Sequence, residues 1–167
     1  YNEKTQAFLC GDVAEKVHHY NNRFAVYGSL LSHPVSRATI KFERVKSKED
    51  AIFVKSGEED IIHYGQKLRI IVCSDLTNQP LYLRTELPTP TCSAKKSLRQ
   101  EVTADSHLDY STVWKLDYID ISYRVEMEGE KVKANSPLLI RHCQTNECLI
   151  FDLSFIIPLV YFQHKTH

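Results

Sequence analysis

Short runs with apolar, branched or aromatic residues on every second position recur along this chain, and polar turn residues separate them. Residues 39–45 (TIKFERV) place Ile40, Phe42 and Arg44 on one face against Lys41, Glu43 and Val45 on the other. Residues 112–121 (TVWKLDYIDI) gather Trp114, Leu116 and Tyr118, away from Val113 and Asp117. Residues 67–73 (KLRIIVC) read as a central strand between Tyr64-Gly65 and the polar stretch 74–79, and residues 81–83 (LYL) return after Pro80. A period of two is the geometry of a pleated strand with one buried face, and branched and aromatic side chains fill such a face well. Residues 12–20 (DVAEKVHHY) alone look helical, with Asp12 at the cap and Glu15 at the third helical position. The chain is therefore expected to be all-β with one short helix. Trp114, Leu116, Phe42, Ile70 and Leu139 are its expected shared interior.

An internal repeat underlies these runs. The unit is an apolar strand, a polar turn, a returning strand, a long loop and a strong alternating strand. Residues 67–83 with 112–119 supply one unit and 138–149 begin another, while Phe8-Leu9 with 39–45 form the tail of an earlier one. Aligning TIKFERVK on TVWKLDYI gives a period of about 73, and FL on YL about 74. Three such units closing on one another make a barrel capped by hairpins, which covers strand edges that would otherwise stay open. The expected architecture is a β-trefoil-like (MIR-like) single domain over residues 1–167, with long loops. The chain opens at Tyr1 rather than Met, so it is expected to be a fragment lacking an N-terminal arm and a first strand.

Composition excludes several functions. A length of 167 residues fits one domain, and 43% apolar with 25% charged residues is globular rather than disordered. Lys+Arg and Asp+Glu number 21 each, so the basic excess expected of a protein held on nucleic acid or anionic lipid is absent. The most apolar run, residues 149–162 (LIFDLSFIIPLVYF), is too short to span a bilayer as a helix and carries Asp152 and Pro158. It is expected to be a buried closing strand or an artificial end. Cys10, Cys73, Cys92, Cys143 and Cys148 are odd in number and contain no C-x-x-C, which predicts free thiols and no disulfide.

Few residues invite a chemical role. His18-His19 with Glu15 point about 100° apart on a helix and share no face. His142 and Cys143 fall on opposite faces of a strand, so they form no nucleophile–base couple. With Cys148 they still lack the second ligand pair of a structural zinc site. Asp75, Asn78 and Tyr82 near one turn suggest a sugar contact, and a cytosolic trefoil binding carbohydrate or a protein partner is the second reading. No catalytic, metal or cofactor-binding residue is expected. Partner contacts are expected instead in two loops. Residues 85–99 carry Lys95, Lys96 and Arg99, and residues 46–60 carry Lys46, Lys48 and Lys55 among five carboxylates.

The segment 128–149 (EGEKVKANSPLLIRHCQTNECL) combines E-G-x-x-V-x-A-N with L-I-x-H-C-x-T-N-x-x-L. Upstream, FLCGD at 8–12, Tyr64-Gly65-Gln66, Leu81-Tyr82-Leu83, Gln100-Glu101-Val102 and Trp114 follow at compatible spacings. This ordered set, over residues 7–149, resembles the cilia- and flagella-associated protein 161 family. After Leu149 the likeness fades. The resemblance implies a non-enzymatic structural protein inside the doublet microtubules of motile axonemes. Its implied partners are tubulin and neighbouring inner proteins, with no cofactor, nucleic acid or membrane.

Overall fold

The computed structural model describes residues 1–17, 20, 22–46, 60–90, 92–94 and 97–151. Eight strands are described: β1 (Phe8–Lys16), β2 (Phe24–Ser29), β3 (Ile40–Arg44), β4 (Lys67–Val72), β5 (Leu81–Thr85), β6 (Val102–Asp105), β7 (Trp114–Tyr118) and β8 (Leu138–His142). Three 3-10 turns, η1 (Ser36–Ala38), η2 (Tyr110–Thr112) and η3 (Ile121–Tyr123), and one four-residue helix, α1 (Arg124–Met127), complete the described elements. Every strand pairing is antiparallel, in the order β1-β2-β6-β5-β4-β7-β8, with β3 added along β4. The all-β expectation holds.

Among the described elements the order strand, strand, 3-10 turn, strand, strand occurs twice, as β1-β2-η1-β3-β4 and β5-β6-η2-β7-β8, the second with η3 and α1 inserted before β8. In both copies the first strand pairs with the second and the third with the fourth. Ser36 and Tyr110 open the two 3-10 turns, and Ile40 and Trp114 open the strands after them, 74 residues apart in each case. The period of 73 from TIKFERVK is thus one residue short. That slip matters because a strand alternates faces at every residue. The correct register sets Ile40 on Trp114 and Phe42 on Leu116.

Leu9, Leu68, Ile70, Val72, Leu81, Leu83, Ala104, Trp114 and Leu116 form the buried core. Two of the five expected interior residues do not join it. Phe42 stands opposite Ile70 but remains 39% exposed, because β3 is an edge strand paired with β4 alone. Leu139 stands opposite Asp117, while Ile140 faces Leu116 and His142 faces Trp114. The core face of β8 is therefore Leu138, Ile140 and His142, one residue out of phase with the expectation.

Three further readings are corrected. Residues 12–16 belong to strand β1 rather than to a helix. Asp12 does accept a backbone hydrogen bond, but from Ala14 N–H within a bulge between Asp12 and Lys16, where an Asx turn uses the same chemistry as a helix cap. His18 and His19 lie outside the described residues. Strand β7 ends at Tyr118 rather than at Ile121, because Asp120 caps η3 by accepting from Ser122 N–H. Strands β2 and β6 are additions, each too short or too mixed to show a period.

Beyond β8 the chain turns back on itself: His142 N–H donates to Glu147 O and Leu149 N–H to Ile140 O. Leu149 and Phe151 then pack against the core. The Phe151 ring fills the space over Gly28 on β2, where a Cβ would lie 2.7 Å from the ring, with Ala7 beside it. Of the expected closing strand, residues 152–162 lie outside the described residues.

Candidate functional site

The residues of the 128–149 motif are framework. Gly129 (φ 89°), Asn135 (φ 61°) and Asn146 (φ 60°) occupy left-handed backbone, which favours Gly and tolerates Asn. Each turns the chain at a place where a β-branched residue would be strained. Tyr64 N–H donates to Glu130 O and Gly129 N–H to Tyr64 O, both at 2.9 Å, so the Y-G-Q and E-G segments clasp each other. Gly65 (φ 81°) is required there twice over, since a Cβ would also sit 2.8 Å from Glu128 Cγ.

His142 is wholly buried at the centre of this framework. Its Nε2 lies 2.9 Å from Ser111 O, a carbonyl that can only accept, so Nε2 carries the proton. Its Nδ1 lies 2.9 Å from Thr145 Oγ1, which itself accepts from Gln100 Nε2. Thr145 can thus give its hydroxyl proton to Nδ1, and the neutral imidazole is satisfied on both sides. Burial lowers the His142 pKa, outweighing the opposite pull of the Ser111 bond. An imidazole that is buried, fully bonded and neutral is structural.

A charge cluster borders it. Arg84, at 3% exposure, donates to Asp105 at 3.0 Å, Glu86 at 2.7 Å and Asp109 at 2.9 Å. Arg23 reaches the same Glu86 oxygen at 2.8 Å and lies 3.7 Å over the Tyr20 ring. Burial alone would raise the Glu86 carboxyl, but the bonds from Arg23 and Arg84 outweigh it and leave its pKa lowered. Asp109 is also lowered: burial opposes the shift, and the Ser111 hydroxyl bond and the Arg84 charge prevail. Ser111 links the cluster to His142 through its carbonyl. Nothing in the sequence pattern brings Arg23, Arg84 and Asp109 together; only the strand pairing does.

The residues expected to bind partners sit elsewhere. Lys46 and Arg99 are exposed, one on each of the two loops. Lys48, Lys55, Lys95 and Lys96 lie outside the described residues. Tyr82 is buried with its hydroxyl donating to Glu43, while Asp75 and Asn78 are exposed. These three residues therefore present no aromatic platform for a sugar. All five cysteines are free thiols, and Cys73 donates to Gly11 O. Among the described residues no group of three or more His, Cys, Asp or Glu is placed to hold a metal, and no helix is long and apolar enough to cross a membrane.

Sequence reasoning missed one accessible feature. Ile119, Ile121, Tyr123 and Val125 follow β7 and are 48%, 74%, 53% and 84% exposed. The expected strand over residues 112–121 takes in Ile119 and Ile121 and stops short of Tyr123 and Val125. The available signal was four large apolar residues at every second position, next to Asp120.

Fold and site together define a doubly repeated antiparallel β domain. Its motif residues hold the framework, and among the described residues its accessible features include charged loops and the apolar turn after β7. Residues 32–158 match the Cilia- and flagella-associated protein 161-like domain, and the chain belongs to that family. It is 32% identical to the Cilia- and flagella-associated protein 161 of Danio rerio over 94 residues, covering 56% of this chain and 31% of that protein. The proteins of the same name from Bos taurus and Mus musculus are each 33% identical, over 90 and 89 residues. They cover 54% and 53% of this chain, and 28% and 29% of those proteins. The matched segments thus span less than a third of these relatives.

Proposed function

We propose that this domain is a structural, non-catalytic component of motile cilia and flagella. In this reading it is seated on the luminal wall of axonemal doublet microtubules and held there by tubulin and neighbouring inner proteins. The observation that carries the reading is family membership across residues 32–158. Support comes from the site, where the family motif is spent on left-handed turns and on a neutral, fully bonded His142. The twofold repeat of strand order favours a trefoil-like closure with a third unit, a rigid body from which loops can vary freely. Lys95, Lys96 and Arg99 on one loop, and Lys46, Lys48 and Lys55 on the other, are the proposed contacts to acidic partner surfaces. Such contacts fix register more than they add affinity.

The test is extraction. The tagged full-length protein, expressed in ciliated cells, is expected to stay with the axoneme after detergent and moderate salt. Release with the soluble fraction, or a location away from cilia, would overturn the reading. Reversing Lys95, Lys96 and Arg99 to Glu is expected to weaken retention while leaving the melting temperature unchanged.

A further inference from the structure

Three adjacent strands each set one cation into a single row. Lys67 on β4 stands opposite Lys115 on β7, and Lys115 stands opposite Arg141 on β8. All three turn away from the core: Lys67 precedes the buried Leu68, Lys115 lies between the buried Trp114 and Leu116, and Arg141 precedes the buried His142. Contacts agree with the register, since Lys115 Nζ lies 3.6 Å from one oxygen of Asp117 and Arg141 Nε donates to the other. Directly opposed side chains are about 4.5–5.5 Å apart at Cβ, and like charges placed so destabilise a sheet. Sequences break such local rules mainly at functional sites.

The excess of positive charge extends beyond the row. Register also sets Lys41 of β3 and Arg69 of β4 on this side, with Glu43 opposite Arg69. Lys41 is exposed and the other four cations are partly so. Among the described residues, the face of β3, β4, β7 and β8 away from the core thus carries five cations against two carboxylates, Asp117 and Glu43. Glu147 lies at its margin, opposite His142 rather than Arg141. Residues 128–133, which pair with 62–65 beyond Lys67, carry Glu128 and Glu130 with Lys131 and Lys133 and add no net charge. A second copy of this chain docking through the same face would set cations against cations. Nucleic acid and anionic lipid are broad polyanions, and holding them calls for a basic excess over the chain, in which Lys+Arg and Asp+Glu number 21 each. We infer that this face docks an acidic segment of a separate protein, whose aspartate or glutamate side chains lie over Lys67, Lys115 and Arg141. This inference rests on the structural role proposed above and names one surface through which it is exercised. Carboxylates placed there relieve the repulsion within the row and fix the partner's register.

The experiment treats permeabilised ciliated cells, expressing the tagged full-length protein, with a water-soluble carbodiimide. The reagent activates a carboxylate, a touching lysine amine displaces it as a urea, and an amide without a spacer forms. Mass spectrometry maps the amides. The expected amides run from Lys67 and Lys115 to aspartate or glutamate in an acidic segment of a different polypeptide. Lys115→Gln removes one of three like charges, so the yield of the Lys67 amide should fall about fivefold while the melting temperature holds or rises. Lys115→Arg should restore that yield. Amides confined to this chain, Lys115 to Asp117 included, overturn the inference, as do amides to a second copy or none at all. Undiminished yield in Lys115→Gln overturns it too, and so does a yield lost together with a lowered melting temperature, which would make the row structural. The expected amides on protein that leaves with the soluble fraction would instead remove the ciliary reading and leave the docking face standing.

Discussion

Trp114 and His142 face each other across β7 and β8 with ring centroids 4.9 Å apart, and each is hydrogen-bonded away from the other. Trp114 Nε1 donates to Leu83 O at 2.8 Å and His142 Nε2 to Ser111 O at 2.9 Å. The pair therefore ties β5, η2, β7 and β8 together at one point in the core. Both bonds satisfy carbonyls that have no access to water there, so losing either donor leaves a buried acceptor unpaired.

Trp114→Phe keeps most of the ring volume and removes the donor to Leu83. It should cost about 1–3 kcal/mol. Trp114→Ala adds a cavity and should cost about 3–5 kcal/mol. Urea denaturation followed by circular dichroism measures both, since the chain has one tryptophan and fluorescence is lost with it.

Acid should destabilise the fold in two stages. The folded-state pKa of His142 lies below its ordinary value of 6.5, so the native state binds fewer protons than the unfolded chain in that window. Its contribution is full above 6.5 and is lost as pH falls towards the lowered value. Glu86 and Asp109 are lowered from 4.5 and 3.8, so theirs is full above those values and is lost at still lower pH. Melting temperature against pH should show an upper step that His142→Gln removes and a lower step that it leaves.

Arg84 holds three carboxylates at once. Arg84→Met strips their shared counter-charge and should cost about 3–5 kcal/mol at neutral pH. The deficit relative to wild type should shrink towards pH 4, where protonated carboxyls need no partner. A deficit independent of pH would mean that Arg84 acts through packing alone.

Gly28→Ala places a methyl group where the Phe151 ring lies and should cost about 1–3 kcal/mol. Phe151→Ala removes the obstacle along with its own burial. The double variant should therefore be more stable than the sum of the two single changes predicts, a coupling readable in a double-mutant cycle.

Alternation made β3 and β7 legible, and apolar runs bounded by turn residues made β4, β5 and β8 legible. It misled where the face was ambiguous. Leu138, Leu139 and Ile140 are three apolar residues in a row, and only pairing with Asp117 and Leu116 decides which of them turns inward. Strand β1 was hidden by Asp12, whose local hydrogen bond serves a bulge as well as it would a helix. The ciliary family was legible only through the resemblance of the ordered motifs, in which Gly129, Asn135 and Asn146 each answer a backbone demand that few residues meet. The Arg84 cluster and the exposed apolar turn after β7 were not. The first exists only through long-range pairing, and the second depends on β7 stopping at Tyr118.

The seat of Phe151 over Gly28 has a consequence for synthesis. Strands β1 and β2 leave the ribosome well before the ring that lies over Gly28, which is made last among the described residues. Until it emerges, the nascent chain carries a paired hairpin with an uncapped apolar face. Domains that must wait for a contact of such long sequence separation fold slowly and lean on chaperones while they wait. For this chain the wait runs from Ser29, where β2 ends, to Phe151, and throughout it the β1-β2 hairpin must be kept from other chains.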